Sequence, residues 1–274
     1  MATFVVERPD VKLIGERRGS AGPAVVLLHE GVTDRRSWHD VAEVLADRAV
    51  VVTYDRRGFG ETAPSAVAFS HVDDLLGVID ELTQERVWLV GTSAGGGLAL
   101  DTALVRPERV AGLVLLAPGV SGAPEPELDA DTERIGEGLE AAMAAGDLDT
   151  VNRLETWLWL DGPAQPEGRV GGPVRALALE MNAIILRNGV PEDAGTSGVD
   201  AWSRLDEVQV PTVVACGDLD VPFLLSLSHD LAERIPGAKY RSLGSVAHLS
   251  ELEQPSVVAS LLAEALEVAG TTIG

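Results

Sequence analysis

Six short runs of β-branched and aliphatic residues recur along the chain, most of them separated by amphipathic stretches of helical period. The runs are AVVLLH (24–29), AVVVTYD (49–55), RVWLVG (86–91), VAGLVLLAPG (110–119), PTVVACG (211–217) and AKYRSLG (238–244). Helical patterns fall at 38–46, 71–82, 94–105, 223–234 and 256–268. Strands that alternate with helices pair in parallel, because each crossover helix returns the chain to the edge it left. Several runs are apolar throughout, as required when helices cover both faces of a sheet. Two earlier segments, TFVVER and VKLIGERR, read as an antiparallel hairpin at the N-terminal edge. At 274 residues, the chain suits one large α/β domain, or one that carries an insertion.

The alternation stops between Gly119 and about residue 200. Here Pro and Gly punctuate acidic helical patterns, DADTERIGEGLEAAMAAG, then LETWLWLDG and ALALEMNAIILRNG, and no strand is expected. Roughly 80 residues is far beyond an ordinary loop, so this segment is expected to be a helical insertion. The expected organisation is a core in two parts, 1–118 and 204–274, with a helical cap at 119–203.

Charge narrows the classes of partner. The formal net charge is -22, from 43 acidic against 21 basic side chains, and only Lys12 and Lys239 among the latter are lysines. Such an excess repels nucleic acid and anionic lipid, so neither a nucleic acid nor a membrane is expected as partner. The N-terminus lacks the apolar block of a signal peptide, and no segment approaches the ~20 apolar residues of a membrane span, so a cytoplasmic location is expected. Cys216 is the only cysteine, which excludes a disulfide or a thiolate metal cluster within one chain. Its expected place is a small buried residue ending a strand.

The chemistry centres on Gly91-Thr92-Ser93-Ala94-Gly95, a G-x-S-x-G motif that follows an expected strand and opens an expected helix. A sharp turn there strains the serine backbone, and a Cβ at either flank would collide with neighbouring chain. The turn thrusts the Ser93 hydroxyl out of the C-terminal edge of the sheet, where open α/β sheets bind ligands. A hydroxyl at neutral pH is a weak nucleophile and needs a base. His248, in GSVAHLSELEQP after the last expected strand, lies on the same edge and titrates near working pH. His39, His71 and His229 sit in or beside helices and read as surface residues. The base needs an orienting carboxylate. Asp220, in GDLD after PTVVACG, has the reach for this, whereas Asp218 better suits the turn itself and Glu125 is a distant third.

The order Ser93, Asp220, His248 is that of an α/β-hydrolase, and the chain resembles that superfamily over nearly its whole length. LLHEG with Trp38 resembles the loop after the third strand, and YDRRGFGET at 54–62 resembles the turn after the fourth. GTSAG resembles the nucleophile elbow, and GDLD with AHLSELEQP supplies acid and base. The resemblance implies a mostly parallel eight-stranded sheet with helices on both faces and a cap after strand 6, as in small capped carboxylesterases and enol-lactonases.

It also implies an oxyanion hole. Ala94 N–H, directly after the nucleophile, is one expected donor. The chain reads His29-Glu30-Gly31 where relatives often read His-Gly, so the second donor is Gly31 N–H, or next to it Val32 N–H. Glu30 is expected to point away from this site, because a carboxylate there opposes the developing charge. His29 is expected to hold its loop, and Asp55, Arg56 and Arg57 to fix a turn. Ala94 stands where many relatives carry Met or another larger residue. Trp157, Leu158, Trp159, Met181, Ile184 and Ile185 either line an acyl pocket or pack the interior of the cap.

The expected activity is hydrolysis of a small or medium uncharged carboxylic ester, with no cofactor and no metal. An enol-lactonase or a carbon-carbon bond hydrolase would use the same three residues, and a ligand sensor could keep the scaffold with little turnover. Dehalogenase and epoxide hydrolase relatives use an aspartate where Ser93 stands. The sequence specifies no oligomeric state.

Overall fold

The computed structural model describes residues 1–65, 67–82, 84–189 and 198–270, without the side chains of 268–270. The first strands are β1 (Ala2–Glu7), β2 (Lys12–Arg18) and β3 (Ala24–Leu28), and then a short 3-10 turn at Arg35–Trp38 leads into α1 (His39–Leu45). There follow β4 (Val50–Tyr54), α2 (His71–Asp80), β5 (Val87–Thr92), α3 (Ala94–Val105) and β6 (Val110–Leu116). Helices α4 (Ala130–Ala145), α5 (Leu148–Thr156) and α6 (Gly172–Asn188) come next, with a π-helical turn at Trp157–Asp161 between the last two. The chain closes with β7 (Thr212–Gly217), α7 (Pro222–Arg234), β8 (Lys239–Leu243), α8 (Ser250–Glu253) and α9 (Pro255–Gly270).

The eight strands form one sheet in the order β1-β2-β4-β3-β5-β6-β7-β8. β1 and β2 are an antiparallel hairpin, β2 meets β4 antiparallel, and every later pairing is parallel. The two-residue period of a strand sends alternate side chains to opposite faces. Val26 and Leu28, Leu89, Leu113 and Leu115 pack beneath α2, α3 and α7. Val25 and Leu27, Trp88 and Val90, Val114 and Leu116 pack against α1 and α9 on the other face. Both faces are thus covered, and the runs that are apolar throughout lie at β3, β4 and β5, whose residues are all buried. At the far edge β8 carries Lys239 and Arg241 with most of its residues open to solvent, and such charges oppose edge-to-edge pairing.

Between β6 and β7 the described residues form helices and turns without a strand. Asp129 and Asp147 cap α4 and α5 by accepting backbone N–H bonds, and Gly146 ends α4 in the left-handed region. These helices pack onto the core: Ile135, Leu154 and Leu158 meet Val221 and Leu224, while Leu160, Ala178 and Met181 meet Leu249 and Leu252. The contacts fall on the segments after β7 and β8, the C-terminal edge of the sheet. That edge carries the topological switch point, since β3 has its successor β4 on one side and β5 on the other.

Candidate active site

β5 runs into α3 through a corner at Ser93, whose backbone sits at φ 51 and ψ -118. A Cβ on Gly91 would stand 2.3 Å from the carbonyl of Gly95, and one on Gly95 only 2.2 Å from the Leu28 carbonyl oxygen. Only glycine fits either place, because the clashing atoms are backbone. The corner is tied from three sides: Ser93 N–H donates to Leu116 O, and Ser93 O accepts from Gly97 and Gly119 N–H. Ser93 is half-buried and lines a cleft of about 710 Å³.

Asp220 and His248 come from the turns after β7 and β8. Asp218 N–H donates to Leu243 O, Leu219 N–H to Val246 O, and Ser245 N–H to the Asp218 carboxylate. Asp218 therefore holds the two turns together, as its position suggests. Asp220 is left to meet the imidazole: its Oδ2 lies 2.8 Å from His248 Nδ1, with both side chains buried. Asp220 Oδ1 accepts Val221 N–H, and the Cys216 thiol, buried at the end of β7, donates to Oδ2. On His248, burial lowers the pKa, but the charge and hydrogen bond of Asp220 outweigh it, so the imidazole titrates above its ordinary value. The hydrogen bonds among the described residues join His248 to Asp220 and not to Ser93. Two contacts link the segment that carries His248 to the surroundings of Ser93. The Trp159 ring, which lines the cleft with Ser93, lies 4.6 Å centroid to centroid from the His248 ring. Thr92, next to Ser93, donates from its hydroxyl to Glu251, three residues past His248.

The loop after β3 is fixed from below. His29 Nε2 accepts Arg56 N–H, its Nδ1 bonds Glu30 O, and the Arg56 guanidinium donates to the carbonyls of His29 and Glu30. Burial, and then the charge of Arg56, hold the His29 pKa well below its ordinary value, which leaves the ring neutral. Asp55 receives the backbone N–H groups of Arg35 and Glu61 together with the Arg35 guanidinium, and Arg57 pairs with Asp10 and Asp74. These residues hold turns, as expected.

Glu30 departs from expectation. Its side chain is buried, 2% exposed, and turns inward, where Oε2 accepts Val32 N–H at 2.9 Å. That bond occupies the donor of Val32. Neither Gly31 nor Ala94 N–H donates to a protein acceptor among the described residues. Burial raises the Glu30 pKa against the opposing pull of His248, which lowers the negative charge carried beside the loop.

Of the residues between β6 and β7 expected to line a pocket, Trp159 lines the cleft. Trp157 packs within the helices and donates its indole N–H to Gln165 O, Leu158 is buried in the same cluster, and Met181 is wholly buried in another. Ile184 and Ile185 are half-buried outside the cleft. The remaining apolar wall comes from Val120, Trp202, Phe223, Leu224 and Leu227, so α7 supplies much of it. Its Pro-Phe-Leu-Leu start just after Asp220 was the available signal. Glu125, Glu127 and Asp230 also line the cleft, with no Lys or Arg among the lining residues. His39 and His229 are exposed, whereas His71 is half-buried against Phe69 and is pushed down to about 3 by burial and then by Arg56. Among the described residues no cluster of three or more His, Cys, Asp or Glu could hold a metal ion, and no helix is long and apolar enough to cross a membrane.

A family model of the alpha/beta hydrolase fold matches residues 23–159. A Bacillus subtilis protein described as a putative 2-succinyl-6-hydroxy-2,4-cyclohexadiene-1-carboxylate synthase is 28% identical over 92% of this chain and 93% of its own. The 2-hydroxymuconate semialdehyde hydrolase of a Pseudomonas species is 29% identical over 90% and 87%. Among solved structures, Est816, described as an N-acyl homoserine lactone degrading enzyme, superposes with a TM-score of 0.74 at 27% identity, covering 95% of this chain and 99% of its own.

Proposed function

Because the chain belongs to the α/β-hydrolase family, we propose that it is a cofactor-independent serine hydrolase that cleaves small or medium uncharged carboxylic esters through an acyl-enzyme. The observation that carries this reading is the buried Asp220–His248 pair, 2.8 Å apart, on the sheet edge that also carries the strained corner at Ser93. Ser93 Oγ attacks the ester carbonyl while His248 Nε2 takes its proton, and Asp220 holds the tautomer and steadies the imidazolium. Gly31 and Ala94 N–H receive the oxyanion, since Val32 N–H is spent on Glu30. His248 returns the proton to the leaving alcohol, then takes one from water, whose oxygen attacks the acyl carbonyl; as the acid leaves, His248 gives that proton to Ser93 Oγ. The helices between β6 and β7 serve as a cap, with Trp159 roofing His248. An apolar cleft with three carboxylates and no cation among its lining residues favours neutral substrates over anionic ones.

The names of the relatives favour a second reading, a lactonase or carbon-carbon bond hydrolase with the same three residues. The two are separated by comparing p-nitrophenyl butyrate with an enol-lactone and a vinylogous diketone on the purified protein. The ester reading predicts the highest kcat/KM on the simple ester. Turnover of the diketone or the lactone with none of the ester would overturn it. A ligand sensor would turn over none of the three.

A further inference from the structure

Glu251 is buried, 1% exposed, on the single turn of α8, and the acyl-transfer chemistry assigns it no part. Its Oε2 accepts a hydrogen bond from Thr92 Oγ1 at 3.1 Å. Thr92 directly precedes Ser93 and Glu251 follows His248 by three residues, so this bond fastens the nucleophile's strand to the segment that carries the base. Glu251 Oε1 is buried with no hydrogen-bond partner. A carboxylate in such a place would be a buried charge with one of its oxygens unbonded, a cost that one retained proton reduces.

We propose that Glu251 is a positioning residue that, in its protonated form, clamps the Ser93 elbow to the His248 segment and so sets the gap across which the serine proton moves. The inference rests on the serine-hydrolase reading above.

The surroundings favour the neutral form. Burial pushes the Glu251 pKa up to about 8, and the like charge of Glu30 adds to it against the opposing effects of its own backbone N–H, Thr92 and His248. Glu30, on the loop after β3, is coupled in turn to Glu155 of α5. No cation approaches from the turn at Arg35–Trp38 or from α1, which pack against α8: Arg35 is committed to Asp55 and Glu61, and Arg36 to Asp34 and Glu180. His39 of α1 meets Arg18, and Asp40 and Glu43 are exposed. Glu253, on the same turn as Glu251, is paired with Arg169, Asp161 beneath the cap with Arg175, and Glu264 of α9 is exposed. Loss of the proton strengthens the bond from Thr92 but places a second charge beside Glu30, and the repulsion between the two carboxylates pushes the α8 turn out of place.

The test is the rate at which a neutral fluorophosphonate labels Ser93, followed by intact mass from pH 5 to pH 10. This readout needs no knowledge of the natural substrate. The wild-type rate should fall on the alkaline side around pH 8. Glu251→Gln, which stays neutral, should label at pH 7 within about threefold of wild type and lose the alkaline fall. Thr92→Val, isosteric and without the donor, should slow labelling about tenfold, the scale of one buried hydrogen bond, and adding Glu251→Ala should slow it no further. An alkaline fall that persists unchanged in Glu251→Gln, or a Thr92→Val rate equal to wild type, would overturn the clamp while leaving the serine nucleophile standing. Failure of wild type to label at Ser93 at any pH would remove the serine reading, and the clamp with it.

Discussion

At Ser93 the backbone occupies a region that costs a residue with a Cβ about 1–3 kcal/mol, and the hydrogen bonds that Ser93 donates to Leu116 O and accepts from Gly97 and Gly119 N–H hold it there. Strain held in this way fixes the hydroxyl before substrate arrives. On the proposed reading the base is prepared in the same sense, because Asp220 orients the His248 ring and keeps its pKa above the ordinary value. The neutral imidazole is the active form, so kcat/KM should fall as pH drops, with the limb above pH ~6.5, the ordinary histidine value. Asp220→Asn should lower kcat by about 10⁴-fold with the fold retained, since the amide favours the wrong tautomer. Both are read from pH–rate profiles of the two proteins, and a flat wild-type profile down to pH 5 would contradict a histidine base. The Ser93 corner and the Asp220–His248 pair were legible in the sequence because Ser93 directly follows a strand while Asp220 and His248 stand in the turns after two others, and the ends of parallel strands share one edge. Glu30 was not, because a single side chain's direction depends on packing that no local pattern encodes. Its inward turn is fixed by one bond to Val32 N–H.

The strands were equally legible, since β-branched runs that are apolar and buried throughout mark them wherever helices cover both faces. Helices α1, α2, α3, α7 and α9 begin and end within a few residues of their sequence patterns, and α3 matches its pattern throughout. The cleft was harder to read. A helix in the segment between β6 and β7 turns some apolar side chains to its neighbours and some to the cleft, and period alone does not say which. Met181 therefore went to the interior of the helices while Trp159 faced the base. Phe223, Leu224 and Leu227 form a wall on α7, outside the segment between β6 and β7. The elbow allows a sharper test at this scale. Gly95→Ala would set a Cβ 2.2 Å from the Leu28 carbonyl oxygen, so α3 must shift away from β3. The expected cost is about 1–3 kcal/mol of stability, measured by urea unfolding, together with loss of Ser93 labelling. Wild-type stability and labelling in that variant would contradict the close packing of elbow and sheet.

Over the whole molecule, several buried titratable groups link stability to pH, and their signs differ. His29 and His71 titrate below the ordinary histidine value in the folded chain, so their contribution is present above pH ~6.5 and is lost as pH falls. Glu251, at about 8, lies above its unfolded value, and His248 is also raised. Their contributions are complete below the unfolded pKa values and are lost as pH rises through the folded ones. Between pH ~6.5 and 8 the second pair acts without the first, so Tm should decline across that window, and Glu251→Gln should make the decline smaller in calorimetry. A rising Tm there would contradict a protonated Glu251. The net charge of -22 adds a field that disfavours anionic esters, which added salt would weaken. The central claim, that Ser93 carries an acyl group with His248 and Asp220 as its relay, is tested most directly by quenching the protein within milliseconds of mixing with p-nitrophenyl acetate and locating the added acetyl group by peptide mass spectrometry. The account predicts acetyl on Ser93, absent in a folded Ser93→Ala protein that has lost nearly all turnover. Acetyl on another residue, or turnover that survives in Ser93→Ala, would contradict it.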